Sequence, residues 1–158
     1  MNDAAGGRGV IALAADHAGF ALKDDLKAIL EALGHAVLDL GTHGPESVDY
    51  PDFGAALAAA IADGRAARGV LVCGSGIGIS IAANRHPAVR AALCHDVTTA
   101  RLSRQHNDAN VLALGSRVTS FAVAQECLQA FLETEFEGGR HSPRVAKLGA
   151  GAPAGARD

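Results

Sequence analysis

The chain predicts a doubly wound, Rossmann-like α/β fold: a five-stranded parallel sheet with helices on both faces. Two observations predict it. Short apolar runs alternate five times with longer segments of helical periodicity, the pattern of successive βα units. The apolar runs are continuous rather than alternating, as expected of strands buried on both sides.

The elements follow in order. Residues 9–16 (GVIALAAD) form the first strand, ending in an acid. In residues 19–33, Phe20, Leu22, Leu26, Ile29, Leu30 and Leu33 recur at helical spacing, and Gly34 is a stop signal. Residues 36–40 are the second strand. Residues 41–52, rich in Gly, Pro, Ser and Asp, read as a loop. An Ala-rich helix covers 53–62 and ends near Gly64. Residues 69–73 (GVLVC) are the third strand, 74–78 a glycine loop, and 79–85 a helix. A fourth strand at 89–94 precedes a helix at 96–106 with Asp96 or Thr98 near its cap. A fifth strand at 111–114 precedes the last long helix at 119–136. Ser142-Pro143 opens a short helix, with Arg140 just before it and Arg144 in its first turn. Residues 1–148 are read as one domain, and 149–158 (GAGAPAGARD) as a flexible tail.

Composition removes several function classes. The chain has 158 residues and a formal net charge of −3, so no basic field marks a nucleic-acid surface. Its apolar stretches are short and interrupted, so no membrane span is expected. No signal peptide is visible at the N-terminus, and three scattered cysteines cannot form a disulfide framework, which makes the reducing cytoplasm the expected location.

In open α/β sheets ligands bind outside the carboxyl ends of the strands. Residues 73–80 (CGSGIGIS) follow the third strand and open a helix. Gly74, Gly76 and Gly78 let the backbone approach an anion, and the helix N-terminus offers free amides. The spacing is neither the dinucleotide G-x-G-x-x-G nor a P-loop, which needs a following Lys-Ser/Thr. A thiol at Cys73 beside such a turn has a reason to ionise. The glycines alone fit a tight strand-to-helix turn with a buried structural cysteine equally well. At Asp16-His17 the acid is placed either to orient the imidazole or to bond sugar hydroxyls, against a capping Asp with a surface His. Residues 103–110 (SRQHNDAN) are dense in hydrogen-bonding groups and are placed at the ligand edge; a polar turn with Asn and Asp caps is the plainer reading. Tyr50, the lone tyrosine, sits in the 41–52 loop, either over a ligand or as an anchor beside Pro51. Arg117, Arg140 and Arg144 are candidate phosphate contacts, since arginine forks bind phosphate bidentately, against the plainer reading of scattered, solvated arginines. His35, His43, His86, His95 and His141 show no metal-ligand spacing, and no metal site is expected. Cys94 and Cys127 are read as packing residues.

Taken together, the runs AADHAGF (14–20), DYPDF (49–53), CGSGIGISIAANR (73–85), LSRQHNDANVLALGSR (102–117) and EGGRHSPRV (137–145) resemble type B ribose-5-phosphate isomerase. The wider family includes galactose-6-phosphate isomerase subunits. The resemblance implies an aldose–ketose isomerase of the pentose phosphate pathway, acting on ribose 5-phosphate and ribulose 5-phosphate through an enediolate. It implies a homodimer or dimer of dimers, with each site built across a subunit interface, and no metal or organic cofactor. It assigns Cys73 as the base between C1 and C2; the Glu that replaces it in some relatives would fall at position 79, which here is Ile79. His106 takes the ring-opening role. Gly74, Ser75, Gly76 and Gly78 line the enediolate loop, Ser75 standing where many members carry Thr. Asp16, His17, Asn107, Arg117, Arg140 and Arg144 match substrate contacts.

The chemistry suits these residues. Proton removal beside a carbonyl needs an ionised base and fixed donors for the developing charge. A hydroxyl at Ser75 can relay a proton between the substrate oxygens. The nearest alternative is an isomerase of a hexose 6-phosphate, such as allose or galactose 6-phosphate. A non-catalytic phosphosugar-binding module or a thiol sensor is the alternative of a different class; a binding module has no need for Cys73, Ser75 and His106 together, and a sensor would usually show a resolving cysteine close to Cys73 in sequence.

Overall fold

A computed structural model describes residues 8–150. The strands β1 (Arg8–Ala15), β2 (His35–Asp39), β3 (Arg68–Cys73), β4 (Ala91–Leu93) and β5 (Val111–Gly115) alternate with helices α1 (Phe20–Ala32), α2 (Tyr50–Ala62), α3 (Ile77–Asn84), α4 (Val97–Asn107) and α5 (Phe121–Glu133). A 3-10 turn (Gly139–His141) and α6 (Ser142–Leu148) close the described chain. All strand pairings are parallel, in the order β2-β1-β3-β5-β4. The expected α/β class is therefore found. Of the expected flexible tail, Gly149 and Ala150 close α6, and 151–158 lie outside the described residues.

Strand side chains alternate between two cores. Ile11, Leu13, Val70, Val72, Leu112 and Leu114 face α1, α4 and α5, where Leu26, Leu128 and Phe131 are fully buried. Ala12, Ala14, Leu71, Cys73 and Ala113 face α2 and α3. That second layer is built from small residues, which lets the helices sit close. A Cβ at Gly54 would lie 2.8 Å from the Ile79 carbonyl oxygen, and one at Gly69 2.8 Å from Leu57.

Several boundaries differ from expectation, each for a local reason. α2 starts at Tyr50 rather than 53, because Asp49 stands at the N-cap and Pro51 fits the first turn. Tyr50 is thus a helix residue, not a loop residue. α3 begins two residues early, directly after Gly76. β4 keeps three residues of an expected six: it is an edge strand, and the Asn110 side chain, not a neighbouring strand, accepts from the Arg90 amide at 2.8 Å. α5 runs from 121 to 133, not 119 to 136; Ser120 caps it by accepting from the Val123 amide, and Thr134 turns extended.

The strand order reverses between β1 and β3, since β2 lies outward on one side and β5 on the other. The crevice beyond the carboxyl ends of β1 and β3 is where such a sheet can seat a ligand. Asp16 and Cys73 stand at those two ends.

The β2 end is tied down by a buried ion pair. The Lys23 ammonium, fully buried, bonds both oxygens of Asp39 at 2.9 Å and Asp24 at 2.9 Å, while Asp39 also accepts from the Gly41 amide at 3.0 Å. Burial alone would raise Asp39; the bonds from Lys23 and Gly41, with the charges of Lys23 and His43, outweigh it and hold the carboxyl below its ordinary value.

Candidate active site

At the switch point, Asp16, Tyr50, Cys73, Gly74, Ser75, Ile77, Gly78, Ile81, Arg117 and Val118 line an open cavity of about 540 Å³. The Cys73 side chain is nearly buried, 4% exposed, but it faces this cavity. Its sulfur accepts a hydrogen bond from the Gly76 amide at 3.1 Å, an interaction that strengthens when the sulfur is anionic.

The loop geometry explains each glycine. Gly76 has φ +78°, and a Cβ there would strike Leu93 and the Leu114 carbonyl, so only glycine fits. Gly76 therefore shapes the turn and aims its amide at sulfur; it does not line the cavity. At Gly78 a Cβ would sit 2.4 Å from the Tyr50 ring, which rests on this residue. At Gly74 it would sit 3.1 Å from the Arg117 guanidinium. The Ser75 hydroxyl accepts from the Ile77 amide at 3.2 Å, leaving its own hydrogen free to donate. Among the described residues no intrachain partner is found for the amides of Gly78 and Ile79 in the first turn of α3.

Asp16 performs the capping role and lines the cavity as well. Its Oδ1 accepts from the amides of Ala18 and Gly19 at 3.0 and 3.1 Å, and the residue is 6% exposed. His17 lies beside the cavity rather than in its wall. The Val48 amide donates to His17 Nδ1 at 3.1 Å, which places the neutral ring's proton on Nε2 and ties the β2–α2 loop to the turn that follows β1.

The remaining candidates are elsewhere. His106 and Asn107 end α4, and the segment after them enters β5 at its amino end. The Gly69 amide, at the start of β3, donates to the Asn110 carbonyl, and the Asn110 amide donates to the Arg90 carbonyl ahead of β4. The polar run 103–110 thus sits at the amino edge of the sheet, not at the ligand edge expected above. The reason is directional: a helix running back across a parallel sheet delivers its C-terminus to the amino ends of the strands. β3 spans six residues, so its ends are about 16 Å apart at roughly 3.3 Å per residue.

Much of that run is structural. Arg104, 5% exposed, bonds the Ala109 carbonyl, Asp108 at 2.9 Å and the Thr134 carbonyl at 3.3 Å. Asp108 takes φ +45° at the C-cap, and the Asn110 amide group bonds Arg90 and Ala88. His106 and Asn107 are left outside this network. Beside them lie the 3-10 turn and α6. The His106 and His141 rings stack with centroids 4.4 Å apart, and Arg140 and Arg144 are exposed on the same segment as His141. Burial, then the charges of Arg140 and His106, hold His141 below the ordinary histidine range, against the opposite pull of Glu137.

The family model described as Ribose/Galactose Isomerase matches residues 11–148. The chain belongs to the ribose/galactose isomerase family. It is 46% identical over 138 residues to ribose-5-phosphate isomerase B of Escherichia coli (strain K12), covering 87% of this chain and 93% of that protein. It is 44% identical over 141 residues to D-erythrulose-4-phosphate isomerase of Pectobacterium atrosepticum, covering 88% and 92%. A solved structure of Clostridium thermocellum ribose-5-phosphate isomerase B superposes with a TM-score of 0.87 at 50% identity, covering 89% of this chain and 95% of that one.

In this family member the structure brings Cys73, Ser75, Gly74, Gly78, Asp16, Tyr50 and Arg117 to one cavity. It does not bring His106, Asn107, Arg140 or Arg144 to that cavity within the chain. Sequence reasoning missed the apolar rim: Ile77, Ile81 and Val118 are 52%, 58% and 60% exposed around the cavity mouth. The available signal was Ile77, Ile79 and Ile81 in a two-turn helix, too many apolar residues for one buried face. It also missed the approach of Glu137 to His141, four residues further on, at 3.6 Å. No helix among the described residues is long and apolar enough to cross a membrane.

Proposed function

We propose that this chain interconverts D-ribose 5-phosphate and D-ribulose 5-phosphate through an enediolate, as a step of the pentose phosphate pathway. The observation that carries the reading is Cys73: its sulfur faces a cavity at the β1/β3 switch point, with a hydroxyl, an arginine and free helix amides around it. The Cys73 thiolate takes the proton from C2 of the open-chain aldose, and the electrons of that bond form the C1–C2 double bond as the carbonyl oxygen gains negative charge. The amides of Gly78 and Ile79 face that charge. The thiol then returns the proton to C1, while the Ser75 hydroxyl carries the second proton between O1 and O2, giving the ketose. No cofactor enters this scheme.

The ring must first be opened, which is the role proposed for His106. His106 and Cys73 of one chain lie at opposite edges of the sheet, too far apart for one sugar. The proposal therefore places His106, Asn107, Arg140 and Arg144 in the site of a second copy, within a homodimer or a dimer of dimers. The exposed Tyr50, Ile77, Ile81 and Val118 around the cavity mouth support such a contact, since a rim of this kind seeks cover.

The test has two parts. The purified protein is expected to convert ribose 5-phosphate to ribulose 5-phosphate with EDTA present, and Cys73→Ala to lose about 10²–10⁴-fold in turnover. Mixing inactive Cys73→Ala and His106→Ala chains under subunit exchange should restore about a quarter of the wild-type rate, from hybrid dimers with one intact site. No recovery on mixing would overturn the shared site. Faster turnover of D-erythrulose 4-phosphate, allose 6-phosphate or galactose 6-phosphate in parallel assays would overturn the pentose assignment and keep the isomerase.

A further inference from the structure

Ser116 is not among the residues that line the cavity, yet it bonds the turns that carry them. Its amide donates to the Cys73 carbonyl at 2.9 Å, and the next amide, of Arg117, donates to the Gly74 carbonyl at 3.0 Å. Its hydroxyl donates to the Ala18 carbonyl at 2.8 Å, 98 residues earlier in the chain.

That last bond is not a neighbour contact. β1 and β5 flank β3, so their strands lie about 9–10 Å apart at roughly 4.8 Å per step. The turns after them meet over the end of β3. Two glycines permit it: a Cβ at Gly19 would strike the Val72 carbonyl, and one at Gly115 would strike the Ser75 backbone. Among the described residues this is the hydrogen bond that joins the two turns directly, and the Ala18 carbonyl has no other protein donor. The turns carry the two charged groups of the cavity lining, Asp16 on one and Arg117 on the other. Through His17 the first turn also holds the Val48 amide, two residues ahead of Tyr50. Cys73 does not depend on the hydroxyl. Its strand is held by the backbone pairing of β3 with β5, and its sulfur by the Gly76 amide.

We propose that Ser116 is a positioning residue: its hydroxyl straps the β1 turn to the β5 turn, sets the spacing of Asp16 and Arg117, and so sets the grip on the sugar phosphate without acting on proton transfer at Cys73. The strap stands on the hydrogen bonds alone. Its effect on substrate rests on the isomerase reading of this cavity. Contacts made equally in the ground state and the transition state raise KM when lost and spare kcat.

The test compares Ser116→Ala with Ser116→Thr, which keeps a hydroxyl. Amide hydrogen exchange reads the strap without substrate. The Ala18 and Gly19 amides bond Asp16 within the strapped turn. In Ser116→Ala they should exchange about 2–12-fold faster, the range of one hydrogen bond, while the amides of Ser116 and Arg117 keep their rates. On ribose 5-phosphate KM should rise by about the same factor, with kcat within about twofold and the Cys73 thiol reacting with a disulfide reagent at the wild-type rate. Ser116→Thr should restore both KM and exchange. Unchanged exchange at Ala18 and Gly19, or a rise spread evenly over the sheet, overturns the strap whatever the activity. A Ser116→Thr protein as impaired as Ser116→Ala overturns the assignment to the hydroxyl. Faster local exchange with an unchanged KM, or with a fall in kcat or in thiol reactivity instead, overturns the link to substrate grip and leaves the isomerase standing. A wild-type protein that turns over no sugar phosphate overturns the isomerase reading and that link with it, while exchange still decides the strap.

Discussion

Replacing Gly78 with alanine separates the catalytic geometry of the α3 turn from its contribution to folding. The new Cβ would sit 2.4 Å from a Tyr50 ring carbon, where carbon contacts are comfortable at about 3.5–4.0 Å. The ring must therefore move by about 1 Å or more. Tyr50 is 43% exposed and can swing toward solvent, so the fold need not absorb the strain. Gly78 lies within α3, and alanine is better than glycine there by up to about 1 kcal/mol. The melting temperature should accordingly change by no more than roughly 2–4 °C. Activity should respond differently, because a displacement of this size at a site wall costs up to about 10²-fold. A loss of about 10–100-fold in kcat/KM on ribose 5-phosphate is expected, equivalent to about 1.4–2.8 kcal/mol of transition-state stabilisation. The assay is a double-mutant cycle. In a Tyr50→Ala background there is no ring to displace, and Gly78→Ala should cost less than about threefold, a coupling above about 0.7 kcal/mol. An undiminished loss in that background would refute the reasoning and assign the effect to the methyl group itself. No loss in either background would remove Tyr50 from the site.

Two further outcomes follow from the buried groups. In the native protein one thiol per chain should react with a disulfide reagent, and none in Cys73→Ser. Cys94 and Cys127 are buried, and burial raises both thiols, Cys127 to about 11 with help from the neighbouring charges of Cys94, Asp96 and Glu126; two or more fast-reacting thiols would contradict that. Lys23→Met should destabilise the protein at pH 7 by about 1.5–3 kcal/mol, because it removes the two 2.9 Å charge-assisted bonds to Asp39 and leaves that carboxylate with the more distant Lys27 ammonium at 3.5 Å. Asp39 is depressed in the folded state, so its contribution is present above its unfolded pKa of about 3.9 and is lost as pH falls through the lower folded value. The gap between wild type and Lys23→Met in urea melts should then narrow below about pH 4. A gap that is constant with pH would exclude Asp39 as the group responsible.

The alternation of elements was legible because burial on both faces forces continuous apolar strands, and Leu13, Val70, Leu71 and Leu112 are indeed fully buried. The glycine turn was legible because φ +78° at Gly76 and the close approach at Gly78 admit little else. The start of α2 was misread, since Pro51 resembles a loop breaker until its place in a first turn is known. The polar run 103–110 was assigned to the wrong edge, although chain order alone carries the answer: strand-to-helix turns gather at one edge and helix-to-strand turns at the other. Its composition also concealed a division. Arg104, Asp108 and Asn110 hold the turn, and His106 and Asn107 stand free of it. Residue type cannot tell these roles apart, because both need hydrogen-bonding side chains.

Charge accounting favours the two-copy site independently of distance. The cavity at the β1/β3 crevice has two charged side chains in its lining, Asp16 and Arg117, which cancel. The mechanism adds a thiolate at Cys73, leaving the lining at about −1 before a doubly charged phosphate arrives. The positive end of α3 offsets only about half a charge. A sugar phosphate would therefore meet net repulsion in an isolated chain. Arg140 and Arg144 supply two positive charges, but they stand beside the amino edge of their own sheet. Bringing them over the cavity of another copy reverses the balance, and it covers Ile77, Ile81 and Val118 in the same step. Charge neutralisation and apolar burial thus ask for the same contact. Replacing both arginines with glutamine should raise KM steeply while leaving the thiol count and the oligomeric state of the wild type unchanged, whereas an unchanged KM would mean that the phosphate is held by groups outside this scheme.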